Sequence, residues 1–150
     1  MYSTKRVEKY LELAKEASKN SDFPQHKLGS VAVYKGLPLA IGWNTLKTSP
    51  IQKEYNKKRE GFDTEADYAR NNTLHSEMMT LNKIVGLDID YSKVSVFVFR
   101  STKDGKRALS RPCAACRRRM LDLGIKDCYF TVDAVSEDDT GTFGYERMEM

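Results

Sequence analysis

The chain has 150 residues and a formal net charge of +4, from 25 Lys and Arg against 21 Asp and Glu. That length suits one domain, residues 1–150, with a single core, and the mild basic excess permits contact with phosphates without demanding it. No run of about 18 apolar residues occurs, which excludes an apolar spanning helix, and an odd number of cysteines, three, points to a reducing compartment and so to a cytoplasmic protein.

Residues 3–19 predict an amphipathic helix. Val7, Tyr10, Leu11, Ala14 and Ala17 form one apolar stripe among Lys and Glu. The segment Met1–Leu13 is charged and lacks the apolar stretch of a secretion signal. Asn20-Ser21-Asp22, followed by Phe23-Pro24, stops the helix. Leu28–Tyr34 and Leu37–Asn44 read as strands joined through Gly36 into a hairpin. His26, just ahead of them, has no partner at ligand spacing and reads as structural or exposed. Trp43 reads as core. Asn44 either turns the chain or offers its amide to a sugar hydroxyl or a base edge.

Residues 45–72 form a long, charged connection. Lys47, Lys53, Lys57, Lys58 and Arg59 give it a basic half; Glu60, Asp63, Glu65 and Asp67 give it an acidic half. Short helices are expected around Ile51–Arg59 and Thr64–Arg70. Connections this long are unusual and often functional. This one leads directly into His75, so it should border a pocket, where the basic half either holds a phosphate or is a solvated surface.

Thr73 is a good N-cap, and an apolar stripe follows at Leu74, Met78, Leu81 and Val85. His75 and Glu77 then fall in the first turn of a helix that Gly86 ends. Val94–Phe99 is a strand, and Lys103–Lys106 a turn. Pro112 suits the first position of a second helix, with Cys113 and Cys116 on one face. Met120 and Leu123 continue that face, and Gly124-Ile125 makes a C-cap. Arg117, Arg118 and Arg119 form a basic patch on it. Cys128–Val132 is a buried strand with Cys128 in the core. Asp138–Gly141 is a turn and Thr142–Met148 a last strand. Too few residues separate these strands for a crossover, so they should be antiparallel.

The chemistry lies in His75-x-Glu77 and Pro112-Cys113-x-x-Cys116. Zinc takes nitrogen and thiolate ligands, and three protein ligands leave a fourth position for water. His75, Cys113 and Cys116 supply three. A carboxylate at Glu77 is then free to accept and return a proton. A lone C-x-x-C also fits a redox pair or half of a structural zinc site. The structural site would want a fourth ligand, and the spare Cys128 and His26 lack paired spacing.

These motifs and the order helix, hairpin, metal helix, strand, metal helix, strand resemble the cytidine deaminase superfamily over nearly the whole chain. The resemblance implies a three-layer α/β/α fold around a central mixed sheet of about five strands. It implies one zinc held by His75, Cys113 and Cys116, with Glu77 as proton shuttle. Gly42-Trp43-Asn44 looks like the superfamily's G-x-N, which implies a substrate contact for Asn44. The implied reaction is hydrolytic deamination at C4 of cytosine or C6 of adenine. Ser76 stands where most members have Ala. Met79 departs from the Asn common in deoxycytidylate deaminases, and His75–Met79 looks more like the tRNA adenosine branch. The short tail looks more like the hairpin-ended cytidine and toxin-type branch. The leading expectation is an enzyme converting a cytosine nucleoside or nucleotide (cytidine, deoxycytidine, CMP or dCMP) to its uracil form with release of ammonia. The basic loop and the arginine cluster motivate an alternative, action on single-stranded DNA or RNA. A non-catalytic zinc module is a third reading, and Glu77 argues against it. Superfamily members often form dimers or tetramers, which implies a homo-oligomer.

Overall fold

A computed structural model of the protein describes residues 2–58, 73–134 and 144–150. The first helix, α1 (Thr4–Ser18), starts where the Ser3 hydroxyl accepts a hydrogen bond from the Arg6 N–H. Its expected stripe is the face it buries: Val7, Tyr10, Leu11, Ala14 and Ala17 are all inaccessible to solvent or nearly so. The hairpin follows as β1 (His26–Tyr34) and β2 (Leu37–Trp43), turning at Lys35-Gly36. Then come α2 (Pro50–Lys58), α3 (Ser76–Ile84), a short 3-10 turn at Tyr91–Lys93 and the strand β3 (Val94–Thr102). A two-residue strand β4 (Arg107–Ala108), the helix α4 (Ala114–Leu123), β5 (Asp127–Thr131) and β6 (Tyr145–Glu149) complete the order.

The sheet runs β2-β1-β3-β5-β6, with β4 paired to β3. Among the described strands, only the β3–β5 pair is parallel. The final pair, β5–β6, is antiparallel as the short tail requires. Alternation along each strand sends neighbours to opposite faces. Val31, Val33, Phe97, Phe99 and Tyr129 pack with α1 on one face. Ala32, Val96, Val98, Cys128 and Phe130 pack with Met78, Leu81, Ile84, Cys116 and Met120 of α3 and α4 on the other. The result is the expected α/β/α sandwich, with Cys128 fully buried in its core.

Several local expectations shift. Thr73 does not cap α3; it bridges to Thr48, and His75 holds the N-cap position. Val85 is the exposed C-cap, and Ile84 takes the buried place three residues after Leu81. Pro112 lies ahead of α4, whose N-cap is Cys113. Gly124 closes α4 as expected, in the left-handed conformation at φ 95° that favours glycine. Arg119 does not belong to a surface patch: it is buried, donates to the Met78 carbonyl and the Asn82 side chain, and lies over the Tyr55 ring. Arg118 remains outside, paired with Asp122. Trp43 is only half-buried, with the Lys83 ammonium over its ring. The expected helix at Thr64–Arg70 and turn at Asp138–Gly141 lie outside the described residues.

Candidate active site

Two helices begin at the same place. At the start of α3, His75 is extended (φ −79°, ψ 155°), and at the start of α4 Cys113 is too (φ −68°, ψ 167°). An N-cap side chain ordinarily accepts a hydrogen bond from the first turn of its helix. Neither His75 nor Cys113 does so. Their side chains turn instead toward each other. His75 Nδ1 lies 3.5 Å from Cys113 Sγ and 3.5 Å from Cys116 Sγ, and the three ligand atoms lie within 4.8 Å of one another. A tetrahedral zinc with ordinary Zn–N and Zn–S bonds sets nitrogen and sulfur roughly 3.6 Å apart. The donor set and its spacing therefore fit zinc. The positive ends of two helices, of 9 and 10 residues, favour the thiolates gathered there.

The sulfurs are already poised for a cation. Cys113 is pushed down to about 3, first by its hydrogen bond with Cys116 and, against the effect of burial, by His75. Cys116 is pushed up by that same hydrogen bond and by burial. A metal binds cysteine as thiolate, so its arrival would displace any proton the two sulfurs hold.

Glu77, at the second position of α3, is 3% exposed. Burial raises its carboxyl above the ordinary carboxylate range; the His75 charge and the Ser76 hydrogen bond act the other way. The Ser76 hydroxyl donates to Glu77 Oε1 at 2.5 Å. The serine that stands where alanine is usual thus grips the carboxylate.

Supports for the cluster come from distant segments. Gln52 of α2 is completely buried, and its Oε1 accepts from the His75 N–H at 3.2 Å. Its amide nitrogen donates to Asn56 one turn on. Among its described residues, the long connection borders the site through these amides. Ser110 fixes the approach to Cys113: its hydroxyl donates to the Val98 carbonyl and accepts from the Thr131 N–H. Gly42 lets α3 approach the sheet, since a Cβ there would lie 2.4 Å from Thr80 Oγ1 and 2.6 Å from the Ser76 carbonyl.

A cavity of about 260 Å³ opens over the cluster, lined by His75, Glu77 and Cys113 at its floor and by Asn44, His26, Phe23, Arg100 and Arg111 around them. Asn44 is buried and ties down β1: its oxygen accepts from the Leu28 N–H, and its nitrogen donates to the His26 carbonyl. His26, read from sequence as structural or exposed, lines this cavity and stacks on Phe23. Sequence reasoning missed Gln52, Ser110, Arg100 and Arg111 as site residues. The i, i+4 spacing of Gln52 and Asn56 within a charged helix is the one local signal among them.

The cytidine and deoxycytidylate deaminase zinc-binding region matches residues 4–132, a span that contains His75, Glu77, Cys113 and Cys116. The chain belongs to this family. Among solved structures, the deaminase resembles a cytidine deaminase from Burkholderia pseudomallei at 16% identity and TM-score 0.59, covering 94% of this chain and 90% of that one. It also resembles a dCMP deaminase from the cyanophage S-TIM5 at 21% identity and TM-score 0.56, covering 93% and 92%. The same cyanophage enzyme in complex with dCMP and dUMP matches at 22% identity and TM-score 0.53, covering 84% and 80%. At these identities the likeness shows a shared fold. No curated protein sequence matches the deaminase.

Proposed function

We propose that the deaminase removes the exocyclic amino group of cytosine from a free nucleoside or nucleotide, by hydrolysis, giving the uracil form and ammonia. The observation that carries this reading is the buried carboxylate of Glu77 beside a three-ligand cluster at the floor of a cavity. A purely structural metal site has no use for that carboxylate, which disfavours a non-catalytic module.

His75, Cys113 and Cys116 would hold the zinc. Zinc supplies Lewis acidity and brings the pKa of a water toward neutrality. Glu77 accepts the proton of the attacking water, delivers it to the ring nitrogen beside the reacting carbon, and passes a proton to the departing amine. Burial suits it to this work, because raising a carboxyl's pKa makes it a better proton acceptor that can still return the proton. The Ser76 hydroxyl holds its Oε1. Asn44 has two amide hydrogens and gives one to His26. The second is available to a substrate sugar hydroxyl. The cavity, about 260 Å³, lies just under the ~300–1,000 Å³ of small-molecule sites, which favours one nucleoside or nucleotide over a bound strand.

The test is ammonia release from cytidine, deoxycytidine, CMP, dCMP, adenosine and short single-stranded DNA and RNA, with zinc measured on the same preparation. Turnover of a free cytosine compound supports the reading. Turnover confined to oligonucleotides or to adenosine would replace it.

A further inference from the structure

We infer that the substrate carries a terminal phosphate, so that the preferred compound is a cytosine nucleoside monophosphate, and that Arg100 and Arg111 bind that phosphate at the rim of the catalytic cavity. This rests on the deaminase reading above and sharpens its substrate class.

Both arginines line the cavity that holds Glu77 and Cys113. Arg100 sits near the end of β3, opposite Leu28 of β1. Arg111 stands two residues ahead of Cys113. Neither has a carboxylate partner among the described residues. Arg100 Nε is buried with no hydrogen-bond partner, and its Nη1 makes one long donation, 3.4 Å, to the Leu109 carbonyl. Arg111 is exposed, with its guanidinium 5.9 Å from the Phe130 ring centroid.

Arg100 as a whole is half-buried, and the two described arginines that are fully buried are well supplied. Arg107 donates to the Val132 and Asp133 carbonyls. Arg119 donates to Met78 and Asn82. Leaving a buried donor on a charged group unsatisfied is costly, so the Arg100 exception calls for an acceptor. The guanidinium fork matches phosphate oxygens bidentately. Among the described residues, the one carboxylate lining the cavity is Glu77, which is buried and already bonded to Ser76. An uncharged nucleoside would leave both guanidinium groups as they are; a phosphate would satisfy them. A phosphodiester offers similar oxygens, but a cavity of about 260 Å³ is small for a strand of several nucleotides.

Two measurements on the zinc-loaded protein test this. Calorimetry compares dUMP with deoxyuridine, products that need no turnover to bind. Steady-state kinetics compares kcat/KM for dCMP and CMP with that for deoxycytidine and cytidine. We expect the monophosphates to be preferred, and Arg111→Gln to cut the nucleotide-to-nucleoside ratio about ten-fold or more, as lost charge-assisted hydrogen bonds would. Arg100→Gln should act likewise, with Arg100→Lys in between; equal thermal midpoints exclude misfolding. Equal affinity for dUMP and deoxyuridine, or a ratio unmoved in Arg111→Gln, overturns the inference while leaving the deaminase reading intact. Arginine-dependent binding of oligonucleotides but not of dUMP also overturns it. Tighter binding of dUMP with no ammonia from any cytosine compound sinks the deaminase reading and leaves the phosphate site standing.

Discussion

On the proposed reading, Glu77 is the side chain that moves the protons. Gln has the same shape but cannot accept a proton, so Glu77→Gln should lower kcat by roughly 10²–10⁴-fold, the usual worth of a general acid–base group. Zinc content should stay unchanged if His75, Cys113 and Cys116 are the ligands, as proposed. Zinc lost together with activity would mean that Glu77 builds the metal site instead of using it. His26 permits a cleaner electrostatic test. Burial, then the charge of Arg100, then that of His75 lower its pKa from the usual 6.5. A base whose pKa falls on folding is more readily protonated in the unfolded chain. Its contribution to stability is therefore whole above pH 6.5 and is lost as pH falls below that value. The protein has two histidines, and zinc would occupy His75. In the zinc form a proton NMR titration should then show one imidazole, with a midpoint below 6.5; a midpoint at or above 6.5 would refute the assignment.

Among the elements, the contact between α3 and the sheet sets the position of His75 and Glu77. Gly42 faces Thr80 and the Ser76 carbonyl so closely that Gly42→Ala must push α3 outward. Overpacking of this kind costs about 1–3 kcal/mol, and here the displaced turn carries Ser76 and Glu77. Chemical denaturation should show that loss, and turnover should fall beyond what the unfolded fraction explains. Full activity per folded molecule would show that α3 tolerates the shift. These elements were legible in the sequence to different degrees. Periodicity exposed α1, the hairpin and the core strands, because each buries a whole face. The starts of α3 and α4 were each misplaced by two residues. Cap statistics favour Thr73 and Pro112, yet the cap positions go to His75 and Cys113, whose side chains leave their own helices for the metal. Local preference gave way at the functional site, where such conflicts are expected. Arg119 looked solvated because it follows two other arginines, although it packs under Tyr55. The roles of Gln52 and Ser110 in the site were not legible, because the partners that reveal them are far along the chain: Thr131 is 21 residues from Ser110 and His75 is 23 from Gln52.

For the molecule as a whole, a metal held by the three proposed ligands would tie together segments that the chain keeps apart. His75 and Cys116 are 41 residues apart; a bound ion clamps the start of α3 to the start of α4 across one end of the sheet. The rest of the fold does not depend on that clamp. Both faces of the sheet carry their own apolar clusters, and α1 packs on the face away from the ligands. The metal-free chain should therefore fold, with a lower melting midpoint. Binding to the native state alone stabilises by about 4.1 kcal/mol when free zinc is 1,000 times its Kd. At roughly 2–4 °C per kcal/mol for a chain of this size, chelation should lower Tm by about 8–16 °C. Cys116→Ser removes a thiolate from the site. Its Tm should be insensitive to added zinc and close to that of the chelated protein. Scanning calorimetry with and without chelator reads both. A wild-type Tm that ignores chelation would mean the ion adds nothing to the fold. A metal-free chain with no cooperative transition would mean that the two apolar clusters cannot hold the sheet and helices together without it.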